Sequence, residues 1–176
     1  MWKRLKHPNI LPLLGVTTSP LQLISNWMSG GNLPEYIKKH SNADRLVFVG
    51  DPLQLCLSHA YSRRQLSDVA NGLCYLHSCN IIHGDLKGVR NRYKSRFTTA
   101  LTLGQPNILI DDSDHARIAD FGLSMLTQNP DSMESATILQ GFTPRWTAPE
   151  VLREGEYSKE ADIFSFAMVM IEVRHG

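Results

Sequence analysis

The chain contains 176 residues, of which 42% are hydrophobic and 20% charged, and its formal net charge is +1. The length suits a single domain with a buried core, and the composition is that of an ordinary globular protein. The near-neutral charge gives no reason to expect nucleic acid or an anionic membrane as a partner. The three cysteines, Cys56, Cys74 and Cys79, neither form a complete set of pairs nor have metal-ligand spacing, which favours reduced thiols.

No segment of the sequence has the features of an export signal or a membrane span. The basic amino terminus, residues 1–10, lacks the apolar run of a secretory signal. The most apolar segment, Phe164–Val173, is broken only by Ser165 and Glu172, and it is too short to cross a bilayer. We therefore expect no membrane span and a cytoplasmic location.

The first part of the chain alternates short elements with turns. The opening residues up to Lys6 have a helical pattern that ends at the following His-Pro-Asn, because proline disfavours helix in the residue before it. Two apolar runs, Ile10–Val16 and Leu21–Ser25, predict a strand, a turn and a second strand. A glycine pair then leads to Asn32, which is placed to cap a helix through residues 36–38.

The remaining elements are mostly helical. Apolar positions at helical spacing predict a helix from Leu66 to His77. Strands are predicted over Asn107–Ile110 and Ala116–Ala119, on either side of a polar Asp-Asp-Ser-Asp turn. Residues 127–143 are polar and without periodicity, which predicts an exposed, mobile loop, and a final apolar helix covers Lys159–Val173. This order of strands and helices predicts a mixed α+β domain.

Three short strings carry the information on function. Residues 82–87 read Ile-His-Gly-Asp-Leu-Lys, residues 120–122 read Asp-Phe-Gly directly after a predicted strand, and residues 146–150 read Trp-Thr-Ala-Pro-Glu. In this order, they resemble the catalytic loop, the magnesium-binding loop and the end of the activation segment of protein kinases. The chain is therefore identified as a member of the protein kinase family, and the third string is most similar to the tyrosine-kinase-like branch.

The resemblance covers nearly the whole chain and implies a partial protein-kinase-like fold of the α+β class. It runs from the end of the family's αC helix, through its β4 and β5 strands and hinge, into a mostly helical C-lobe as far as its αF helix. Residues 1–25 would then be a remnant of the N-lobe, 26–33 the hinge and 34–176 part of the C-lobe. The family's glycine-rich phosphate loop, β3 lysine and αC glutamate have no counterpart in the sequence.

The resemblance also implies which residues carry phosphoryl transfer, with ATP and Mg²⁺ as cofactors and a protein as the substrate. Asp85 is expected to accept a hydrogen bond from the substrate hydroxyl as the catalytic base, and Lys87 to lie against the γ-phosphate. Asp120 is expected to bind magnesium with Asn107 as a second ligand, since a hard dication prefers oxygen donors. His83 is expected to be a packing residue.

Other positions would bind the nucleotide base or support the loop. The hinge is expected to bind adenine through backbone groups of Asn26 and Met28, with Ser25 as a small gatekeeper and Leu109 under the ring. Asp162, which opens the last predicted helix, is expected to anchor the backbone of the catalytic loop.

Two details of the motifs concern specificity and control. Lys87, two residues after Asp85, and Thr143, ahead of a proline, are similar to serine/threonine kinases rather than tyrosine kinases. Gly84 stands where most kinases have an arginine, which commonly pairs with a phosphorylated activation loop. We therefore expect serine/threonine specificity and weak control by phosphorylation at Ser132, Ser135 or Thr137 of the predicted loop.

Two segments, about 47–64 and 89–105, depart from the family pattern. The first splits a helix upstream of Leu66, and the second separates Asp85 from Asn107 by 22 positions, where the family has about five. Both begin with valine, whose codons start with GT as introns do, so we favour translated introns over true loop insertions. The two segments, together with the absence of a glycine-rich phosphate loop, a β3 lysine and an αC glutamate, predict impaired catalysis in this chain. The alternative function is a catalytically inactive binding or scaffold module.

Overall fold

The computed structural model describes residues 2–40, 52–88, 106–120, 125–126 and 145–175. The predicted loop 127–143, Thr143 within it, residues 121–122 of the second string and the segment 89–105 lie outside these ranges. A 3₁₀ turn covers Trp2–Arg4, and the strands are β1 (Leu13–Thr18), β2 (Leu21–Ser25), β3 (Gly31–Asn32), β4 (Ile81–Ile82), β5 (Ile108–Ile110), β6 (Ala116–Ile118) and β7 (Met125–Leu126). The α-helices are α1 (Leu33–His40), α2 (Pro52–Ser78), α3 (Pro149–Glu154) and α4 (Lys159–His175).

The amino-terminal residues form a single turn and a hairpin. The helix predicted up to Lys6 is wrong, because the chain leaves the 3₁₀ turn at Leu5, whose side chain enters the core. The predicted strand, turn and strand are confirmed as β1 paired antiparallel with β2. β1 starts later than predicted because Leu11 instead donates its N–H to the carbonyl of Ile118 at 2.8 Å.

Helix α1 begins where the sequence predicted it. The Asn32 side-chain oxygen accepts a hydrogen bond from the N–H of Glu35 at 3.0 Å, which satisfies one of the free donors of the first turn. Leu33 and Tyr36 then point into the core. β3, directly before the helix, pairs with β5 and thereby joins α1 to the sheet β3-β5-β6.

Helix α2 confirms the predicted helix and is longer than predicted. Val69, Leu73 and Leu76 are buried on one face, as the apolar spacing indicates. The helix starts at Pro52, so residues 52–64 of the first departing segment are continuous with it instead of splitting it. Gly72 lies so close to the backbone of Asn9 that a methyl group there would be 2.8 Å from the Asn9 carbonyl oxygen.

The two predicted strands around the acidic turn are confirmed as β5 and β6. Within the turn, Asp111 accepts hydrogen bonds from the N–H groups of Ser113 at 2.9 Å and His115 at 3.0 Å. Its second oxygen pairs with the guanidinium of Arg117 at 2.9 Å. Burial opposes ionisation of Asp111, but the His115 N–H, the Arg117 side chain and the Ser113 N–H together hold its pKa below the ordinary value.

The carboxy-terminal helices complete the core. The predicted last helix is confirmed as α4, and its Val169 is fully buried among residues of α1, α2 and the sheet. α3 ends at Gly155, whose φ of 74° closes the helix in the left-handed conformation. The predicted α+β class is confirmed. None of the helices within the described ranges is long and apolar enough to cross a membrane.

Candidate active site

The loop after β4 is held by one buried carboxylate. Asp162, in the first turn of α4, is 1% exposed and accepts hydrogen bonds from the backbone N–H groups of His83 at 2.8 Å and Gly84 at 2.9 Å. The His77 side chain contacts the same carboxylate at 2.8 Å. The structure therefore places Asp162 where the sequence predicted, as an anchor of the loop backbone. Gly84 has a φ of 80°, a conformation that glycine adopts without steric cost.

His83 uses both ring nitrogens to hold backbone. The residue is fully buried; Nε2 lies 3.1 Å from the carbonyl oxygen of Ala119, and Nδ1 lies 3.3 Å from the backbone nitrogen of Asp85. A carbonyl oxygen can only accept and an N–H can only donate, so these contacts assign the proton to Nε2. This enclosed imidazole is placed as the packing residue that the sequence predicted.

Three of the residues predicted to carry chemistry come together in the structure. The Lys87 ammonium forms an ion pair with the carboxylate of Asp85. The side-chain oxygen of Asn107 accepts a hydrogen bond from the N–H of Lys87 at 2.8 Å, and its amide group donates to the carbonyl oxygen of Asp85. Asn107 is fully buried. The intervening segment 89–105 therefore does not separate Asn107 from Asp85 in space.

The sheet explains why Asn107 reaches this position. It directly precedes β5, and its carbonyl oxygen accepts a hydrogen bond from the N–H of Ala119 at 2.8 Å. Asp120 follows immediately and is exposed, with a φ of 59°. The antiparallel pairing of β5 and β6 thus brings Asp120 close to Asn107, because Asp120 directly follows Ala119, whose N–H bonds to Asn107.

The predicted adenine-binding residues lie on β2, on β5 and in the turn between β2 and β3. Ser25 ends β2, Asn26 follows it, and the carbonyl oxygen of Met28 accepts a hydrogen bond from Gly31 at 3.1 Å. Leu109 is half-buried in the centre of β5, opposite Asn32 of β3. The turn is thereby tied to the strand that carries Leu109, whereas Ser25 belongs to the separate hairpin sheet.

A recess opens beside Asp85 and includes residues that the sequence reasoning did not assign to the site. Its walls come from the catalytic loop, from residues 146–148 and from α4, with Tyr157 among the lining side chains. Burial, and next the negative charge of Asp85, raise the pKa of the Tyr157 phenol. No local pattern marks Tyr157. Ser165 and Glu172, in contrast, interrupt an apolar helix, and such polar positions can be recognised in the sequence as candidates for a role.

The geometry of these residues defines a class of site. A loop anchored on a buried aspartate presents a carboxylate paired with an ammonium, and the carboxamide of Asn107 binds the backbone of both residues. Such a set can hold a hydroxyl group and a phosphate with its cation, which is what phosphoryl transfer needs.

The sequence profile of the family described as protein tyrosine and serine/threonine kinase matches residues 1–92 and 102–176. The chain belongs to this family. The identification from the three strings and the protein-kinase-like fold are thereby confirmed.

Curated relatives agree with this assignment. Serine/threonine-protein kinase 12 of Arabidopsis thaliana is 32% identical over 99% of the chain and 32% of its own length. Serine/threonine-protein kinase VIK of the same plant is 34% identical over 98% of the chain and 34% of its own length. Tyrosine-protein kinase csk-1 of Caenorhabditis elegans is 30% identical over 96% of the chain and 26% of its own length. The chain therefore spans about a third or less of the length of these relatives.

Proposed function

We propose that the protein to which this chain belongs transfers the γ-phosphoryl group of Mg-ATP to serine or threonine hydroxyls of protein substrates in signal transduction. The observation that carries the proposal is the junction of Asp85, Lys87 and Asn107, in which Lys87 and Asn107 are buried. These residues converge although 22 positions separate the first from the last. Asn107 is fully buried and bonds to the backbone of both charged residues, which holds Asp85 and Lys87 at one place.

The residues present fit a magnesium ion bound to phosphate. Asn107 and Asp120 offer oxygen ligands, and the Asn107 carbonyl uses one of its two lone pairs for the Lys87 N–H. Among the described residues, no three His, Cys, Asp or Glu side chains form a metal-binding group. The phosphates of ATP would therefore supply the other ligands of the ion. When bound, Mg-ATP would supply the phosphoryl group and neutralise its charge.

The chain's own residues would then orient the acceptor. Asp85 is partly exposed, with 19% of its side chain accessible, so a substrate hydroxyl can reach its carboxylate and donate a hydrogen bond to it. Lys87 is 5% exposed and held against Asp85, so its charge lies beside the position of the attacking oxygen. Asn107 fixes both residues through their backbones. Serine or threonine specificity rests on Lys87 and on the names of the first two relatives.

We also propose that segments 47–64 and 89–105 are translated introns, with true loop insertions as the alternative. The family profile passes over residues 93–101, within the second segment, but includes the first. Gln65 is fully buried and donates to the carbonyl oxygen of Asp114 at 2.9 Å, which supports an end of the first segment before Gln65. Transcript reads across both junctions test this: retention of both segments in all mature messages refutes it.

The function is tested by nucleotide binding and phosphoryl transfer in two proteins. One is this chain, and the other carries a glycine-rich loop and β3 lysine ahead of it and lacks both segments. We expect Mg-ATP to raise the melting temperature of the second protein only, with about 2.7 kcal/mol of stabilisation at a hundred times Kd. Equal shifts in both would show that this chain binds nucleotide alone, and binding without transfer would favour the scaffold alternative.

Substitutions in the second protein assign the roles. Asp85→Asn should reduce transfer by about 10²–10⁴-fold and leave the Mg-ATP shift in place. The matched control is Asp112→Asn, an exposed carboxylate in the turn between β5 and β6, which should change neither. Analysis of the phosphorylated amino acids separates serine and threonine from tyrosine. Transfer that survives Asp85→Asn in full would refute the assigned base.

A further inference from the structure

Helix α4 holds the segment that begins at Arg145 at two points. The hydroxyl of Ser165 donates to the carbonyl oxygen of Trp146 at 2.7 Å, and the indole N–H of Trp146 donates to the carboxylate of Glu172 at 3.2 Å. Ser165 and Glu172 are two helical turns apart and so lie on the same side of the helix. Both ends of Trp146, its backbone and its ring, are therefore fixed by one face of α4.

The same carboxylate also contacts the catalytic loop. Gly88 is buried directly after Lys87, and a methyl group on it would lie 2.3 Å from the Glu172 Oε2 atom. The same methyl group would lie 3.2 Å from the Cγ atom of Pro34. Only a residue without a side chain leaves room for Glu172 at this place, so the carboxylate lies between the indole of Trp146 and the end of the catalytic loop.

We infer that Glu172 is a positioning residue that fixes the distance between the Trp146 segment and the catalytic loop. Residues 146–148 and Asp85 line the same recess, and the acceptor hydroxyl would approach Asp85 beside it. Loss of the contact would let residues 146–148 shift relative to Asp85. A displacement of about 1 Å of a reacting group can reduce the rate about a hundredfold. The effect on acceptor binding rests on the proposed kinase function, whereas the contact itself does not.

The contact can be measured without activity, by the indole N–H signals in a nitrogen-15 NMR spectrum of the full chain. Trp146→Phe assigns the Trp146 signal. Trp27, which is 89% exposed, supplies the position of a solvated indole, and Trp2, bonded to the Leu11 carbonyl, should stay unchanged. Glu172→Ala should move the Trp146 signal to the solvated position, and Glu172→Gln should move it only partly. A Trp146 signal unaffected by Glu172→Ala overturns the inference.

Gly88→Ala gives a second route to the same state and does not touch the helix. The added methyl group and the Glu172 carboxylate cannot occupy the same place, so the flexible carboxylate should swing away. The Trp146 signal should move as in Glu172→Ala, and Gly88→Ala should add no further shift in the Glu172→Ala background. Additive shifts would show that the two residues act independently and would refute the inference. Glu160→Ala, an exposed carboxylate on the same helix, is the control that should change nothing.

Positioning is separated from mere stability by kinetics in the longer protein without the two segments. Glu172→Ala should raise the KM for the protein substrate several-fold and leave the KM for ATP unchanged. Equal changes in both KM values would refute positioning. If the unsubstituted protein transfers no phosphate, the proposed function fails. The role of Glu172 is then tested by amide hydrogen exchange of residues 146–148 in the chain. We expect exchange there to become faster in Glu172→Ala, and unchanged exchange overturns the inference.

Discussion

Asp162→Asn tests whether one buried carboxylate holds the catalytic loop. The substitution keeps the shape of the side chain and replaces one oxygen with an NH₂ group. Asp162 accepts two backbone N–H groups, those of His83 and Gly84, through different oxygens. An asparagine can serve only one of them, and its NH₂ group then faces the other donor. If the remaining oxygen keeps Gly84, the N–H of His83 loses its acceptor.

The magnitude follows from burial. His83 is fully buried and Asp162 is 1% exposed, so water cannot replace the missing acceptor. A buried donor that loses its partner costs about 1–3 kcal/mol. His77 can offset part of this by accepting from the new NH₂ group through Nε2. We therefore expect the free energy of unfolding to fall by about 2 kcal/mol, and transfer in the longer protein to fall with it because the loop carries Asp85.

Urea denaturation measures the stability effect, with Glu160→Gln as the matched control. Glu160 is exposed in the same first turn of α4, so its substitution reports the loss of a negative charge near the helix amino terminus alone, about 0.3–1 kcal/mol. The amount by which Asp162→Asn lowers the free energy of unfolding beyond Glu160→Gln measures the cost of the lost acceptor. An Asp162→Asn variant no less stable than Glu160→Gln would refute the role of the carboxylate as the anchor.

Three further predictions concern packing and ionisation. Gly72→Ala should destabilise the chain by about 1–3 kcal/mol in urea denaturation, because the added methyl group would be 2.8 Å from the Asn9 carbonyl; Asn71→Ala, exposed on the same helix, should be neutral or stabilising. In the folded chain the pKa of Asp111 lies below its ordinary value of 3.8. Asp111→Asn should therefore lower the free energy of unfolding most above pH 3.8. The gap should close as pH falls through the folded-state pKa, and a gap independent of acid pH would contradict this. In absorbance titrations, Asp85→Asn should lower the Tyr157 pKa only in part, because burial is the larger cause; an unchanged pKa would exclude the charge of Asp85.

Much of the fold could be predicted from the sequence because its signals are local. Asn32 precedes an apolar helical run and caps it, and the short segments on either side of the acidic turn form β5 and β6. The catalytic string fixes the order of Asp85 and Lys87. The opening helix was predicted wrongly because its pattern covers so few residues that tertiary contacts of Leu5 decide its conformation.

By itself, the sequence determined the family and the residue types available for catalysis, because these depend on neighbours in the chain. The tertiary structure decided what lies opposite each of them. Asp162 reaches His83 across 79 positions and Glu172 reaches Trp146 across 26, and no periodicity encodes such distances. The clearest case is Asn107, since a long intervening segment predicts separation from Asp85. Sheet pairing determines its position instead, because the strand register between β5 and β6 fixes Asn107 in space whatever the length of the chain before it.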